Sequence, residues 1–127
     1  MQYSLDKLVT GQPYQKRVVL TGLLVKGEQF KISDNAVVTA RIRATVGTLA
    51  YTDWRTLTKN ANREDDWDIS VIDLNLPAVD TTEVPAEPSV LIDVRVVGPY
   101  VEADGTDSAD TFDKTWTYIV SVSQGAA

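Results

Sequence analysis

Residues 36–46 read AVVTARIRATV, and this stretch decides the class of fold. One alternate set of positions is entirely apolar and comprises Val38, Ala40, Ile42, Ala44 and Val46. The other set is mixed and comprises Val37, Thr39, Arg41, Arg43 and Thr45. A period of two residues is typical of a half-buried β-strand. Because two arginines on the outer side must stay solvated or meet an acidic partner, we predict a central strand of an antiparallel sheet, not a parallel strand buried on both faces.

The register of this strand predicts the effects of two substitutions. Ile42 belongs to the apolar set, so Ile42→Ala should lower the free energy of unfolding by about 2–5 kcal/mol. Arg43 lies on the opposite side, so Arg43→Ala should change the same quantity by less than about 0.5 kcal/mol.

Strand patterns continue on both sides of this segment. Residues 17–25 and 29–32 are rich in β-branched and apolar residues, and residues 33–35, SDN, form a predicted turn. Three later segments, residues 67–76, 89–97 and 114–122, also alternate. Their inward positions are Ile72, Leu74 and Leu76, then Val90, Ile92, Val94 and Val96, then Trp116, Tyr118, Val120 and Val122, with Asp93 and Arg95 outward.

The connecting segments are polar or rich in proline. Residues 58–66 predict an exposed loop, and residues 98–113 predict a long acidic loop. Residues 77–89 hold three of the five prolines, so they predict a crossover connection with one helical turn after Pro77. Seven or eight short strands joined in this way favour an all-β fold, an immunoglobulin-like antiparallel β-sandwich.

We predict a single folded domain. Residues 1–14 form an N-terminal arm or short edge strand, residues 15–123 the β-sandwich, and residues 124–127 a C-terminal tail. No apolar run has the length of a signal peptide or a membrane span, so we expect a chain made in a cytoplasm, with no membrane partner.

The composition argues against an enzyme. The chain of 127 residues has no cysteine and no histidine, so the commonest nucleophile–base pairs and metal ligands are missing. No glycine-rich phosphate loop is present, and the acidic residues fall in predicted loops or at outward strand positions. We therefore predict no catalytic residues and no cofactor.

The charge is divided unevenly along the chain. The net charge is −6, which argues against a nucleic-acid partner. Residues 1–63 hold ten Lys and Arg against four Asp and Glu, and residues 64–127 hold two against fourteen. Either strands from the two halves interleave and the charges cancel within the domain, or the protein has a basic and an acidic side that suit packing against copies of itself.

The acidic loop contains weak candidates for a metal site. Asp104, Asp107 and Asp110 recur every three residues, followed by Asp113, and calcium prefers flexible oxygen ligands. The spacing does not match an EF-hand loop, so the favoured interpretation is a solvated loop without a tight calcium site.

Candidate interface residues lie in three places. Tyr51, Trp54 and Arg55 combine the residue types that dominate binding hot spots, although for any single tryptophan a place in the core is the favoured interpretation. Tyr3 and Leu5 could anchor the N-terminal arm on a neighbour. Arg41, Arg43, Arg55 and Arg63 could face carboxylates of residues 64–68 or 104–113 on another subunit.

The pattern of apolar residues also resembles a known family. The matching positions are Gly27-x-x-Phe30-x-Ile32-Ser33-x-x-Ala36-x-Val38-x-Ala40-x-Ile42-Arg43, Ile72-x-Leu74-x-Leu76-Pro77, Val90-x-Ile92-Asp93-Val94-x-Val96 and Tyr118-x-Val120-x-Val122. Together they resemble the immunoglobulin-like domain of tailed-phage virion structural proteins. That domain stands at the N-terminus of baseplate upper and fibre-anchoring proteins, and similar sandwiches occur in head-decoration proteins.

The resemblance implies a non-enzymatic bacteriophage structural protein. Such a protein would decorate or cement the capsid, or serve as a tail or baseplate adaptor. Its partners would be major capsid or tail/baseplate subunits and copies of itself, and it would be found in the virion after synthesis in the host bacterial cytoplasm. The alternative is a soluble cellular β-sandwich binding module, for example a carbohydrate-binding one, which an exposed array of Tyr51, Trp54 and Tyr100 would favour.

Overall fold

The chain forms an all-β structure with one short helix. The computed structural model describes residues 2–20, 24–25, 28–29, 31–47, 49–58, 71–102 and 104–123. The strands are β1 (Gln2–Val9), β2 (Tyr14–Val19), β3 (Leu24–Val25), β4 (Glu28–Gln29), β5 (Lys31–Ile32), β6 (Val37–Arg43), β7 (Arg55–Leu57), β8 (Val71–Leu76), β9 (Ser89–Val101) and β10 (Asp107–Ser123), and the helix is α1 (Ala78–Thr82).

The main sheet is mixed. Its order is β1-β10-β9-β6-β7, and β5 also pairs with β9. All of these pairings are antiparallel except that of β1 with β10, which is parallel. The expectation of a purely antiparallel sheet is therefore wrong at this edge. Two smaller antiparallel units, β2 with β8 and β3 with β4, complete the described pairings.

Strand β6 has the predicted register over most of its length. It lies between β9 and β7, and Val38, Ala40 and Ile42 are fully buried. The prediction is wrong for Val46, whose side chain is 80% exposed. The strand ends at Arg43 and the chain then turns, so the alternation in the sequence continues past the last hydrogen-bonded pair.

One apolar core joins the two larger sheets. The predicted inward residues of β8 and β9 are all buried, as are Trp116, Tyr118 and Val120 of β10. Val122 is only partly buried against the same core. The apolar surface that the two sheets bury against each other in this core is the main favourable term in the stability of such a fold.

The predicted crossover contains the predicted helical turn. Helix α1 begins after Pro77 and ends at Thr82. The Thr81 hydroxyl is buried and donates a hydrogen bond to the carbonyl of Gln12 at 2.7 Å, which ties the helix to the turn between β1 and β2. Among the described residues, no helix is long and apolar enough to cross a bilayer.

The predicted acidic loop is much shorter than expected. Strand β9 continues to Val101 and β10 begins at Asp107, so most of residues 98–113 lie in a hairpin. At the end of this hairpin, residues 109–111 and 113 of β10 are exposed. Because neither face of the strand is buried there, its sequence lacks the alternation of apolar and polar residues that predicts a strand. The predicted loop at residues 58–66 lies outside the described residues after Thr58.

The N-terminal segment is part of the main sheet. Gln2 is paired with Thr117 and Val9 with Ser123, with a shift of register between Leu5 and Leu8. The Leu8 side chain is fully buried in the core. The side chains of Tyr3 and Leu5, and residues 124–127, lie outside the described part of the structure.

Gly98 supports a close approach of two chain segments and provides a test of the packing. Its φ is +138°, and a Cβ added there would lie 2.7 Å from Cα of Ala36. We expect Gly98→Ala to lower the free energy of unfolding by about 1–3 kcal/mol, because the backbone must shift as well as adopt an unfavourable φ. Urea unfolding of the purified chain measures this cost.

The matched control is Gly105→Ala. Gly105 also has a positive φ, of +88°, but a Cβ there would meet nothing within 4 Å. Its cost should therefore be limited to the backbone term and be smaller than that of Gly98→Ala. Equal costs at the two positions would contradict the close contact between Gly98 and Ala36.

Candidate binding surface around Trp54

The turn after β6 brings Trp54 beside the main sheet. Gly47 adopts a φ of +74°, and the chain returns so that Ala50 bridges to Arg43. The Tyr51 amide donates to the carbonyl of Ile42 at 2.8 Å, and the Ile42 amide donates to the Thr52 hydroxyl at 3.0 Å. These bonds fix the segment that enters β7, and with it the position of Trp54.

Trp54 packs against an arginine of β6. The Cζ atom of Arg41 lies 4.4 Å from the centre of the Trp54 ring. A guanidinium over an indole face at this distance is a cation–π contact worth about 0.5–1 kcal/mol at an exposed site. Trp54 is half-buried, so part of its ring surface remains accessible.

A single buried carboxylate holds the arginine pair of β6. Asp93 accepts hydrogen bonds from Nε of Arg43 at 2.5 Å, from Nε of Arg41 at 3.1 Å and from the Thr117 hydroxyl at 2.7 Å. Only 2% of Asp93 is exposed, because the side chains that bind it also cover it.

This cluster corrects two expectations from the sequence. Asp93 lies on the outer side of β9 as its position predicts, yet it is buried and not solvated. Arg43→Ala would remove a hydrogen bond from a desolvated carboxylate, so its cost should exceed the 0.5 kcal/mol that is ordinary for a surface residue.

The cluster also shifts the acidity of Asp93. Burial by itself raises the pKa of Asp93, but the hydrogen bonds from Arg43, Thr117 and Arg41 outweigh it and hold the pKa below its ordinary value. Because the folded state favours the charged form, Asp93 stabilises the fold at pH values above its unfolded pKa of about 3.9. This contribution is lost as the pH falls through the lower folded pKa.

We therefore predict a loss of stability in acid that depends on Asp93. Wild-type stability should fall as the pH drops below the unfolded pKa of about 3.9, and Asp93→Asn should flatten that fall while lowering stability at neutral pH. Urea unfolding at a series of pH values measures both effects. An NMR titration in which the Asp93 carboxyl carbon titrates at or above about pH 3.9 would contradict the assignment.

A second ion pair lies on the other side of Trp54. Arg55 binds Asp80 of α1 through two hydrogen bonds, Nε to Oδ2 at 2.5 Å and Nη2 to Oδ1 at 2.9 Å. The hydrogen bonds to Asp80 raise the pKa of Arg55 above its already high ordinary value. Together the two residues fix α1 against the edge strand β7, and both line an open cleft of about 570 Å³.

Exposed apolar side chains lie in this cleft and in the turn before Tyr51. Val79 lines the cleft and is 61% exposed, and Leu49, in the turn before Tyr51, is 63% exposed. We define the Trp54 surface as Tyr51, Trp54, the arginines Arg41, Arg43 and Arg55, and the exposed Val79. Aromatic and arginine side chains next to exposed apolar groups are the composition of a protein-binding site.

The Trp54 surface gathers most of the predicted interface residues. Arg41, Arg43, Tyr51, Trp54 and Arg55 come from one continuous region of the fold. Arg63 and residues 64–68 lie outside the described residues, as do the side chains of the predicted arm anchors.

The sequence reasoning missed two acids that organise this surface. Asp93 could have been found because it is the one acidic position in an apolar strand, and a neighbouring strand carries an Arg-x-Arg pair. Asp80 lies in the proline-rich crossover, where no strand periodicity marks it.

The aromatic array that would favour carbohydrate binding is not formed. Tyr100 is only 4% exposed, and Ile32 of β5 is paired with it on β9. Tyr51 and Trp54 therefore lack the third exposed ring that the hypothesis needs.

The aspartates of the hairpin bind protein groups. Asp107 accepts hydrogen bonds from the Ser33 hydroxyl at 2.6 Å and the Asn35 amide at 2.5 Å, which lower the pKa of Asp107. Asp104 accepts from the hydroxyl and amide of Thr106, which lower the pKa of Asp104. Asp110 is exposed. Within the described ranges, no group of three or more His, Cys, Asp or Glu could hold a metal ion.

The expectation of no tight calcium site remains a prediction. Adding calcium at about millimolar concentration should leave the melting temperature unchanged within about a degree, because ligand-linked stabilisation requires a dissociation constant well below the ligand concentration. Thermal unfolding by circular dichroism with calcium, with magnesium and with a chelator measures this. A rise of many degrees that the chelator reverses would establish a site.

Four arginines from the basic half of the chain bind acids of the acidic half. Arg17 pairs with Asp73 at 2.5 Å, the arginine pair of β6 binds Asp93, and Arg55 binds Asp80. Each of these contacts joins the basic half of the chain to the acidic half. The interpretation in which strands of the two halves interleave therefore accounts for these four arginines.

Comparison of the sequence with models of known protein families and with curated proteins finds no match.

Proposed function

We propose that the chain is a non-enzymatic structural subunit of a tailed-phage particle. It decorates or cements the capsid, or serves as a tail or baseplate adaptor, and it acts by binding neighbouring subunits. The observation that carries the binding role is the Trp54 surface, where an accessible tryptophan, a tyrosine, three arginines and the exposed Val79 line two pockets that share Trp54. The location in the virion comes from the family resemblance.

We further propose that the fold is immunoglobulin-like. Immunoglobulin domains place strands C, F and G in one sheet and strands B and E in the other. Assigning β6, β9 and β10 to C, F and G, and β2 and β8 to B and E, reproduces that division and the chain order. Strand β7 then takes the place of C′ beside C. The correspondence supports the resemblance to phage domains of this class.

The geometry favours binding over catalysis. The cleft beside Trp54 is open, and Arg55 and Asp80, which both line it, are engaged with each other. A catalytic acid or base must be able to exchange a proton with a substrate, whereas a residue fixed in an ion pair shapes a surface. Rigid arginine and aromatic groups that are ordered before binding reduce the entropic cost of association.

The test is the protein composition of purified particles. Particles from cells that produce the chain should contain it at a fixed number of copies per particle, measured by quantitative mass spectrometry. In the control, tagged chain is added to finished particles that lack the protein, and these particles are purified in the same way. A fixed copy number after this addition indicates specific sites, whereas a variable amount indicates contamination. Absence of the chain from particles would overturn the proposal, and glycan binding by the isolated chain would then favour the cellular module.

A further inference from the structure

A second, smaller pocket lies on the sheet side of Trp54. Its volume is about 350 Å³, and its walls include Arg41, Arg43, Trp54, Asp93, Thr115 and Thr117. The pocket is built on three adjacent strands, because Arg41 is paired with Asp93 and Asp93 with Thr117. Its walls are therefore held by the main sheet itself.

The charges in this pocket do not balance. Two guanidinium groups share one carboxylate, and Asp93 is the only acid among the described residues that line the pocket. The local charge is one positive unit in excess, although the chain as a whole is acidic. An excess cation beside a buried carboxylate attracts an anion from solution or from a partner.

The two arginines keep donors for such an anion. Each hydrogen bond to Asp93 uses the Nε atom, and the terminal amino groups of Arg41 and Arg43 make no hydrogen bond to any other described residue. The side chains are 31% and 23% exposed, so these groups are accessible from the pocket. Contact with Asp93 and Trp54 holds both guanidinium groups in place, which favours bidentate recognition of a planar anion.

We infer that this pocket binds a carboxylate side chain from an acidic segment of the partner subunit. A carboxylate carries one negative charge and matches the single excess charge, whereas a phosphate dianion would leave a net negative charge beside Asp93. The inference rests on the proposed function, since it names the chemical group that the docking partner presents to the Trp54 surface.

The experiment uses a small probe and the full chain. The peptide acetyl-Gly-Glu-Gly-amide is titrated into labelled protein, and the Arg41 and Arg43 Nε–H and Trp54 indole signals are followed by NMR. We expect saturable shifts with the Glu peptide and none with the matched Gln peptide. Arg41→Gln should weaken binding about tenfold, the loss expected for a charge-assisted hydrogen bond.

Two further variants separate the pocket from general effects. Arg95→Gln removes the same charge from the same sheet, but Arg95 is paired with Asp113 outside the pocket, so peptide affinity should change by less than about twofold. Asp93→Asn removes the competing negative charge but keeps a side-chain oxygen that can accept from the two Nε atoms and hold the arginines in place, so affinity should rise. Damage to the fold would lower affinity, so a rise in Asp93→Asn cannot come from unfolding.

The outcomes distinguish this inference from the proposed function. The carboxylate site is overturned if the Glu peptide shows no saturable binding, or if Arg41→Gln and Arg95→Gln weaken binding equally. Neither result rejects the proposed function, because association of the chain with particles is measured separately. Stronger competition by inorganic phosphate than by acetate also overturns it. Peptide binding by a chain that is absent from particles supports the pocket and rejects the virion role.

Discussion

Ile42→Ala is expected to lower the free energy of unfolding by about 2–5 kcal/mol. Ile42 is fully buried near the end of β6, where it is paired with Ile92 of β9, and the substitution removes three carbon atoms from a packed core. Strand β9 on one side and the hydrogen bonds with Tyr51 and Thr52 on the other hold Ile42 in place, so the surrounding residues cannot close the cavity easily. Urea unfolding followed by circular dichroism measures the change, with an unchanged slope indicating the same unfolded state.

The matched control lies on the same strand. Val37 is 50% exposed, so Val37→Ala removes side-chain atoms that already contact water and should cost less than about 0.5 kcal/mol. Similar losses for Val37→Ala and Ile42→Ala would show that the register of β6 is wrong. Arg43 is no longer a suitable control, because its guanidinium binds buried Asp93.

The sequence predicts the core strands because one physical signal dominates them. In β6, β8 and β9 one face packs on the core, so apolar residues must occupy every second position. The helical turn after Pro77 was also predictable, since proline removes a donor from a strand ladder but suits the start of a helix.

The remaining features depend on tertiary contacts. Val46 continues the alternation of β6, but hydrogen bonding between strands ends at Arg43, and a period in the sequence does not reveal where a partner strand stops. The parallel pairing of β1 with β10 joins the two ends of the chain, and no local pattern encodes it. The hairpin of β9 and β10 has its far end in solvent, where packing does not select residue types.

Residue types in the sequence predict part of the candidate site, and the fold adds the acids that bind its arginines. Tyr51, Trp54 and Arg55 were recognisable as a cluster because they are neighbours in sequence. The ion pair with Asp80 and the shared contact of Arg41 and Arg43 with Asp93 join segments 25–52 residues apart. Only the topology of the sheet determines that these particular acids meet these arginines.

The proposed function predicts that Trp54→Ala weakens association of the chain with the particle by about 30-fold or more. A central tryptophan in an interface commonly contributes 2 kcal/mol or more, and about 1.4 kcal/mol corresponds to a tenfold change. Loss of the ring also removes the stacking contact that orients Arg41. Binding of labelled chain to particles that lack it, measured by sedimentation over a range of concentrations, gives the affinity.

Three comparisons show whether such a loss comes from the Trp54 surface. Trp54→Phe keeps an aromatic face for Arg41 and should retain part of the affinity, whereas Thr82→Ala, on an exposed position of α1, should bind like wild type. Thermal unfolding of Trp54→Ala must show a folded chain at the temperature of the assay. Salt at about 1 M reduces the screening length to about 3 Å, so it should weaken the contacts of the arginines more than those of the ring. If Trp54→Ala is folded and remains bound like wild type at both salt concentrations, then the Trp54 surface is not the contact with the particle, and a different face of the sandwich must bind the neighbouring subunit.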